Sequence, residues 1–173
     1  MKDSVHYHRV SGTSDLILSE GVYAQYEFKP HYHLDYHIGL VFDGVQRQQF
    51  QGQSVLLGPG RISVMPPGEV HDGCGHEQCA YRMRTFRIAP QLLADSVEAL
   101  SGKTVEPAFA GAMVEDSRIA RQLVQLFDGV QQPDGLDALP VEEAWLALFE
   151  PPLTCSGVTT FSRVSNEIGR AHV

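Results

Sequence analysis

The sequence predicts a mainly β protein, a small barrel or sandwich followed by C-terminal helices. Three observations carry that expectation. Short β-prone segments punctuated by Gly and Pro fill residues 5–88. After Ala89 the apolar spacing changes from the period of a strand to that of a helix. Four of the eight histidines lie in two segments about thirty residues apart, where a barrel could turn them all inward.

Taken in order, Leu16-Ile17-Leu18 and Val22 to Phe28 read as two strands split by Glu20-Gly21, and His31 to Phe42 as a third. Asp43-Gly44 is a hairpin signal before Val45 to Gln51, because both residues accept the backbone of a tight turn. Gly52 opens a further strand, and Pro59-Gly60 turns the chain into Arg61 to Met65. Pro66-Pro67-Gly68 turns it again, and Ala80 to Ile88 closes the β region. Short strands at such spacing favour a barrel or sandwich over an alternating α/β sheet.

Pro90 suits the first turn of a helix that carries Leu93, Val97 and Leu100 and stops at Gly102. A second helix starts near Asp116, with Ile119, Leu123, Leu126, Phe127 and Val130 in one stripe. A linker over 131–139 contains Pro133 and Gly135. Val141, Ala144, Trp145, Leu148 and Phe149 then form another stripe, ended by Pro151-Pro152. These two helices read as an antiparallel hairpin. It either packs on its own barrel or forms a dimer seam through Ile119, Leu123, Leu126, Phe127, Trp145 and Leu148. The domain plan is a barrel over 1–89, a helical appendage over 90–150 and a pattern-free tail over 151–173. The last residues, Glu167 to Val173, resemble translated sequencing-adapter sequence, so the tail reads as truncated or artefactual.

At 173 residues, 43% hydrophobic and 20% charged, the chain suits one soluble globular domain with a real core. It contains neither an apolar run of membrane-spanning length nor an N-terminal signal pattern, so the expected location is cytoplasmic. Three cysteines, Cys74, Cys79 and Cys155, fit a reducing compartment better than a disulfide scaffold. A formal net charge of −8 argues against this chain gripping nucleic acid by itself. The nearest approach to a basic patch is Arg82, Arg84 and Arg87, read as an outward strand face of solvated charges. Ser63 has no evident His–Asp partnership, and neither a nucleophile elbow nor a phosphate loop appears.

The chemistry therefore centres on His31, His33, His37 and His71. Residues two apart on a strand share a face, so an unbulged strand would present His31, His33 and His37 together, with His71 arriving from another strand. Three or four imidazoles can hold Zn, Cu, Fe or Ni. They can equally hydrogen-bond an organic ligand, or one another. Tyr81, Met83 and Thr85 share a strand face that lines the same interior once Arg82 and Arg84 point away. Cys74, His76 and Cys79 form a competing metal spacing without a second cysteine pair. His6 and His8 are expected in solvent.

His31-x-His33-x3-His37-x6-Gly44 resembles the first cupin motif, with His37 where metal-binding cupins usually carry glutamate. Gly60-x5-Pro66-x-Gly68-x2-His71 resembles the second, with Gly75 where its terminal asparagine would stand. The order of barrel, helix and two amphipathic helices is similar to the N-terminal sensing domain of AraC-family transcription regulators. Segments His33 to Gly39 and Met65 to Gly73 look like that family too. The resemblance implies a cupin double-stranded β-helix, or jelly roll, that binds a small-molecule effector, and helices that make a homodimer. DNA would be contacted through a helix-turn-helix region missing from this chain. On this reading the chain is not an enzyme and needs no cofactor, with a divalent transition metal as the alternative occupant. The competing functional class is a metal-dependent cupin enzyme, a dioxygenase or isomerase.

Overall fold

A computed structural model describes residues 2–10, 14–50, 52–102 and 113–131. In chain order the strands are β1 (Ser4–Arg9), β2 (Leu16–Tyr23), β3 (Phe28–His31), β4 (Tyr36–Asp43) and β5 (Gln46–Phe50). They continue as β6 (Gln53–Leu57), β7 (Ile62–Met65), β8 (His71–Gly75), β9 (Tyr81–Ile88) and β10 (Met113–Val114). Helix α1 spans Pro90–Ser101 and α2 spans Ser117–Val130. One sheet has the order β1-β2-β9-β4-β7-β10, the other β3-β8-β5-β6.

The pairings nest. β5 pairs with β6, β4 with β7, β3 with β8 and β2 with β9, all antiparallel. A long hairpin folded in this way, alternate pairs falling in opposite sheets, is the jelly-roll winding. The mainly β expectation is met. No helix among the described residues is long and apolar enough to cross a membrane.

Two details differ from the expected strand pattern. Glu20-Gly21 does not split a strand, because both lie inside β2. There Arg82 and Arg84 hold the Glu20 carboxylate at 3.2 and 3.0 Å, and the Tyr23 ring covers Gly21. His31 to Phe42 is not one strand either: residues 32–35 carry the chain from β3 in one sheet to β4 in the other.

Strand parity then sorts the side chains. Leu16, Leu18, Ile38, Leu40, Val64, Phe86 and Ile88 occupy the outer face of the six-stranded sheet and join Leu93, Leu123 and Phe127 in one buried cluster. The main hydrophobic core thus lies between that sheet and the two helices, outside the barrel. Both helices end as their sequences dictate. Gly102 closes α1 in the left-handed conformation, its N–H donating to the Glu98 carbonyl at 2.8 Å. The Asp116 carboxylate accepts the N–H groups of Arg118 and Ile119 at 2.8 and 3.2 Å at the start of α2.

Of the two expectations for the α2 stripe, packing on its own barrel is the one seen: Ile119, Leu123, Leu126 and Phe127 are buried in the chain's own core. Trp145, Leu148 and the rest of the second hairpin helix lie outside the described residues. So does the 151–173 tail.

Candidate functional site: a polar chamber inside the barrel

Because most apolar side chains of the six-stranded sheet face the helices, its other face mixes polar residues with Tyr23, Met65 and Met83. Between the two sheets lies a cavity of about 240 Å³. Its walls carry Ser19 from β2, Ser63 and Met65 from β7, Met83, Thr85 and Arg87 from β9, and Gln46 and Gln48 from β5. Gly39 of β4 lets the Met83 side chain and the Ser63 hydroxyl lie against its backbone, where a Cβ would collide with both. Val5, Tyr7, Tyr23 and Phe28 complete the lining, so the chamber sets polar groups among apolar and aromatic ones, as a ligand site does.

All four motif histidines line this chamber. His31 closes β3 and sits in register with His71 at the start of β8. His33 arrives from the 32–35 crossover. Gly68 fixes that crossover by donating its N–H to the His33 carbonyl at 2.8 Å. The turn that makes this possible needs a positive φ at Gly68, +80°, so the two sequence motifs meet through a glycine. His37 stands on β4. The expected convergence therefore occurs without the single strand that was to produce it.

The rings form a compact group. His31 lies 4.5 Å from His71 and 4.8 Å from His33 between ring centroids, and His33 stacks on His37 at 3.6 Å and 7°. Candidate ligand atoms of His31, His33 and His71 all lie within 4.8 Å of one another. His37 stands behind His33 and outside that trio, with its Nε2 buried and without a partner. Backbone carbonyls set two of the tautomers. His31 Nδ1 donates to the Lys29 carbonyl at 2.7 Å, and His71 Nδ1 to the Glu69 carbonyl at 3.0 Å. A carbonyl can only accept, so both Nδ1 atoms carry hydrogen and both Nε2 atoms are left with a lone pair.

Burial disfavours charge on His33, His37 and His71. Burial pushes the His33 imidazole down to about 4, helped by His31, His71 and the Arg87 guanidinium. Burial pushes His37 down further, to about 2, with His33 and Arg87 acting in the same sense. His71 is also lowered, first by burial, against an opposing hydrogen bond to Glu69. Neutral imidazoles with outward lone pairs are metal ligands or hydrogen-bond acceptors.

Of the other sequence-predicted residues, Met83 lines the chamber but Tyr81 does not. Tyr81 is fully buried one layer back, stacked on Tyr23, and its hydroxyl accepts from Gln46 Nε2 at 3.2 Å. His6 is exposed as expected, whereas His8 is half-buried with its ring 5.5 Å from Phe127. Cys74, His76 and Cys79 form no metal-capable group among the described residues; Cys74 Sγ instead accepts from Arg47 Nη2 at 3.1 Å.

The grouping of Arg82, Arg84 and Arg87 on one solvated face is also corrected. Strand alternation puts Arg87 on the chamber side, where its Nη2 pairs with Asp35 at 2.7 Å. Arg84 lies under α2, paired with Asp128 at 2.9 Å and 4.4 Å above the Phe127 ring. Sequence reasoning missed Arg87, Gln46 and Gln48 as chamber residues. The alternation that placed Met83 and Thr85 inward, carried one step further, would have found Arg87.

No curated protein sequence matches the chain. Among solved structures it is similar to a cupin superfamily protein from Desulfitobacterium hafniense, at 15% identity over 50% of this chain and 78% of that one, TM-score 0.43. It is similar to a cupin-2 domain protein from Shewanella frigidimarina, at 23% identity over 47% and 78%, TM-score 0.40. A third is the polyketide cyclase RemF from Streptomyces resistomycificus, at 21% identity over 49% and 64%, TM-score 0.43. The model of the AraC-like ligand binding domain matches residues 14–149, most of the chain. With its barrel, its inward histidines and its polar chamber, the chain belongs to the AraC-like ligand-binding domain family.

Proposed function

We propose that this chain is the effector-binding domain of an AraC-type transcription regulator and binds a small polar molecule in the chamber between its two sheets. The observation that carries this reading is the placement of the main hydrophobic core outside the barrel, which leaves an interior where Tyr23, Phe28, Met65 and Met83 are interspersed with hydroxyl, amide, imidazole and guanidinium groups. Such groups serve recognition and add little to packing. A formal net charge of −8 supports giving DNA contact to a separate helix-turn-helix region. On this reading the protein is not an enzyme, and occupancy acts through different effector affinities of two domain arrangements. The dimer contacts then fall to surfaces other than the buried stripe of α2.

Thermal-shift screening of the purified chain against a library of small polar metabolites tests the proposal. A compound that raises the melting temperature in wild type, but not in Gly39→Leu with its chamber filled, is the expected result. Stabilisation by no compound, or equal stabilisation of both proteins, refutes it.

The fixed tautomers favour a second occupant, a divalent transition metal on His31, His33 and His71. The carbonyls behind the His31 and His71 rings, which turn both Nε2 atoms towards the trio, match the outer-shell arrangement of metal-bound imidazole. When bound, the metal would supply Lewis acidity. This chain's own residues would hold it and keep His37 Nε2 available as a hydrogen-bond partner beside it. Titration of metal-free, untagged protein with Co²⁺ tests this by the ligand-field absorption spectrum. Absorption lost in His71→Ala supports the metal, and a spectrum indifferent to that substitution removes it.

A further inference from the structure

The polar groups of the chamber that have no partner define what it takes, and this step rests on the chamber being the effector site. Arg87 enters from β9 directly across from His37 of β4. Its Nη2 is held by Asp35 at 2.7 Å, while its Nε is buried and has no acceptor. A guanidinium stays charged at any working pH, and its planar N–H fork matches the two oxygens of a carboxylate. The lining carboxylate Asp72 belongs to β8 in the other sheet, where its Oδ1 accepts the Gln49 N–H at 2.9 Å.

Gln46 and Gln48 make the complementary demand. Both are almost fully buried, and the Oε1 atom of each has no donor. The Tyr81 hydroxyl meets one end of the Gln46 amide and can accept from Nε2 or donate to Oε1, so in either orientation the other end of that amide lacks a partner. The chamber walls thus carry, on one sheet, a guanidinium whose Nε–H is unmet beside its Asp35 pair and, on the other, two amides each with an unmet polar end. A molecule that answers both carries an anionic oxygen pair at one end and, at the other, hydroxyls, which donate or accept as the amides require. At about 240 Å³ the space suits a short carbon chain.

We propose that the effector is a small hydroxycarboxylic acid, its carboxylate on Arg87 and its hydroxyls on Gln46 and Gln48. Calorimetric titration of EDTA-treated chain with glycerate, malate, tartrate and gluconate tests it. The controls are the uncharged polyols glycerol, threitol and sorbitol, and the hydroxyl-free acids propionate and succinate. At least one hydroxy acid is expected to bind saturably, with the matching polyol and plain acid each tenfold weaker or more. Arg87→Gln is expected to weaken the acid at least tenfold and to leave the polyol unchanged. Asp35→Asn, which frees Nη2 without touching Arg87, is expected to tighten the acid several-fold, and it keeps the test open where Arg87→Gln fails to fold. Polyols binding as tightly as acids, or acid affinity indifferent to both substitutions, overturns the inference. No binding by any of these probes while a library compound still stabilises the chain overturns the inference alone; no binding by any compound overturns the effector reading as well.

Discussion

Replacing Phe127 by alanine tests whether α2 belongs to this barrel's own core. The ring is fully buried. It meets Phe86 edge to face at 5.9 Å and His8 at 5.5 Å, and lies 4.4 Å beneath the Arg84 guanidinium. Truncating a buried phenylalanine to alanine costs about 3–5 kcal/mol, transfer and cavity terms together. The cation–π contact, worth about 0.5–2 kcal/mol, is lost in the same step and places the expected value near the top of that range. A loss of about 4 kcal/mol is a large share of the roughly 5–15 kcal/mol that holds a domain of this size. Urea unfolding followed by far-UV circular dichroism, at two protein concentrations tenfold apart, measures it. The midpoint of Phe127→Ala is expected to fall sharply and equally at both concentrations. A loss below about 1 kcal/mol, or one that appears only on dilution, would refute the packing argument and return Phe127 to an intermolecular seam.

Three other perturbations probe the site and its frame. His33 and His37 bind protons less readily folded than unfolded, so the unfolded chain takes up more protons below the ordinary imidazole value of 6.5. Stability is therefore complete above pH 6.5 and falls as the pH drops towards 4, by at most about 1.4 kcal/mol per pH unit for each imidazole and less for the half-exposed His33. Urea midpoints measured from pH 7.5 to 4.5 should show that slope, flattened in His37→Gln; a flat wild-type profile would contradict it. Gly39→Ala should push the Met83 methyl into the chamber at a cost of about 1 kcal/mol, because the atom it meets is the end of a flexible side chain. Its melting temperature should stay within a few degrees of wild type while ligand stabilisation disappears; retained stabilisation would show that the chamber is not where the ligand sits. Asp116→Ala removes an N-cap that serves two N–H groups and should cost about 1 kcal/mol in urea unfolding, whereas Asp116→Asn should recover most of it.

How far the sequence could be read depended on which signal each element carries. Turns were legible because their chemistry is local: Asp43 ends β4 and Gly44 follows it, Pro59-Gly60 and Pro66-Pro67-Gly68 lie between strands, and Gly102 and Asp116 cap the helices assigned to them. Strand continuity was not, because what keeps β2 whole at Glu20-Gly21 is non-local. Two arginines from β9 neutralise the glutamate, and a tyrosine two residues on covers the glycine. The convergence of the histidines was legible as a motif, yet its cause was misread. His31, His33 and His37 meet because the chain crosses between sheets at residues 32–35, a movement that no periodicity reports. The buried glutamines were illegible for a related reason. Gln46-Arg47-Gln48-Gln49 looks like a solvated edge until the opposite sheet is in place to enclose every second residue.

The division between core and chamber follows from one alternation, and β9 shows it most clearly. Its odd positions, Met83, Thr85 and Arg87, touch the chamber; its even positions, Arg84, Phe86 and Ile88, touch the core and α2. Moving the strand to seat a carboxylate on Arg87 therefore moves the backbone that carries Arg84, and Arg84 is tied to α2 through Asp128 and the Phe127 ring. Among the described residues the opposite sheet has no such path, since β5, β6 and β8 have none of their residues in the buried cluster that contains the helices. Close-packed cores transmit displacement and do not absorb it. A ligand acting on β9 is thus mechanically connected to α2 in a way that one acting only on Gln46 or Gln48 is not. The carboxylate end of the effector, more than its hydroxyl end, is then the part that bears on the helices. Acids and polyols that both enter the chamber should differ most at α2, where hydrogen-exchange protection of residues 117–130 reads the difference.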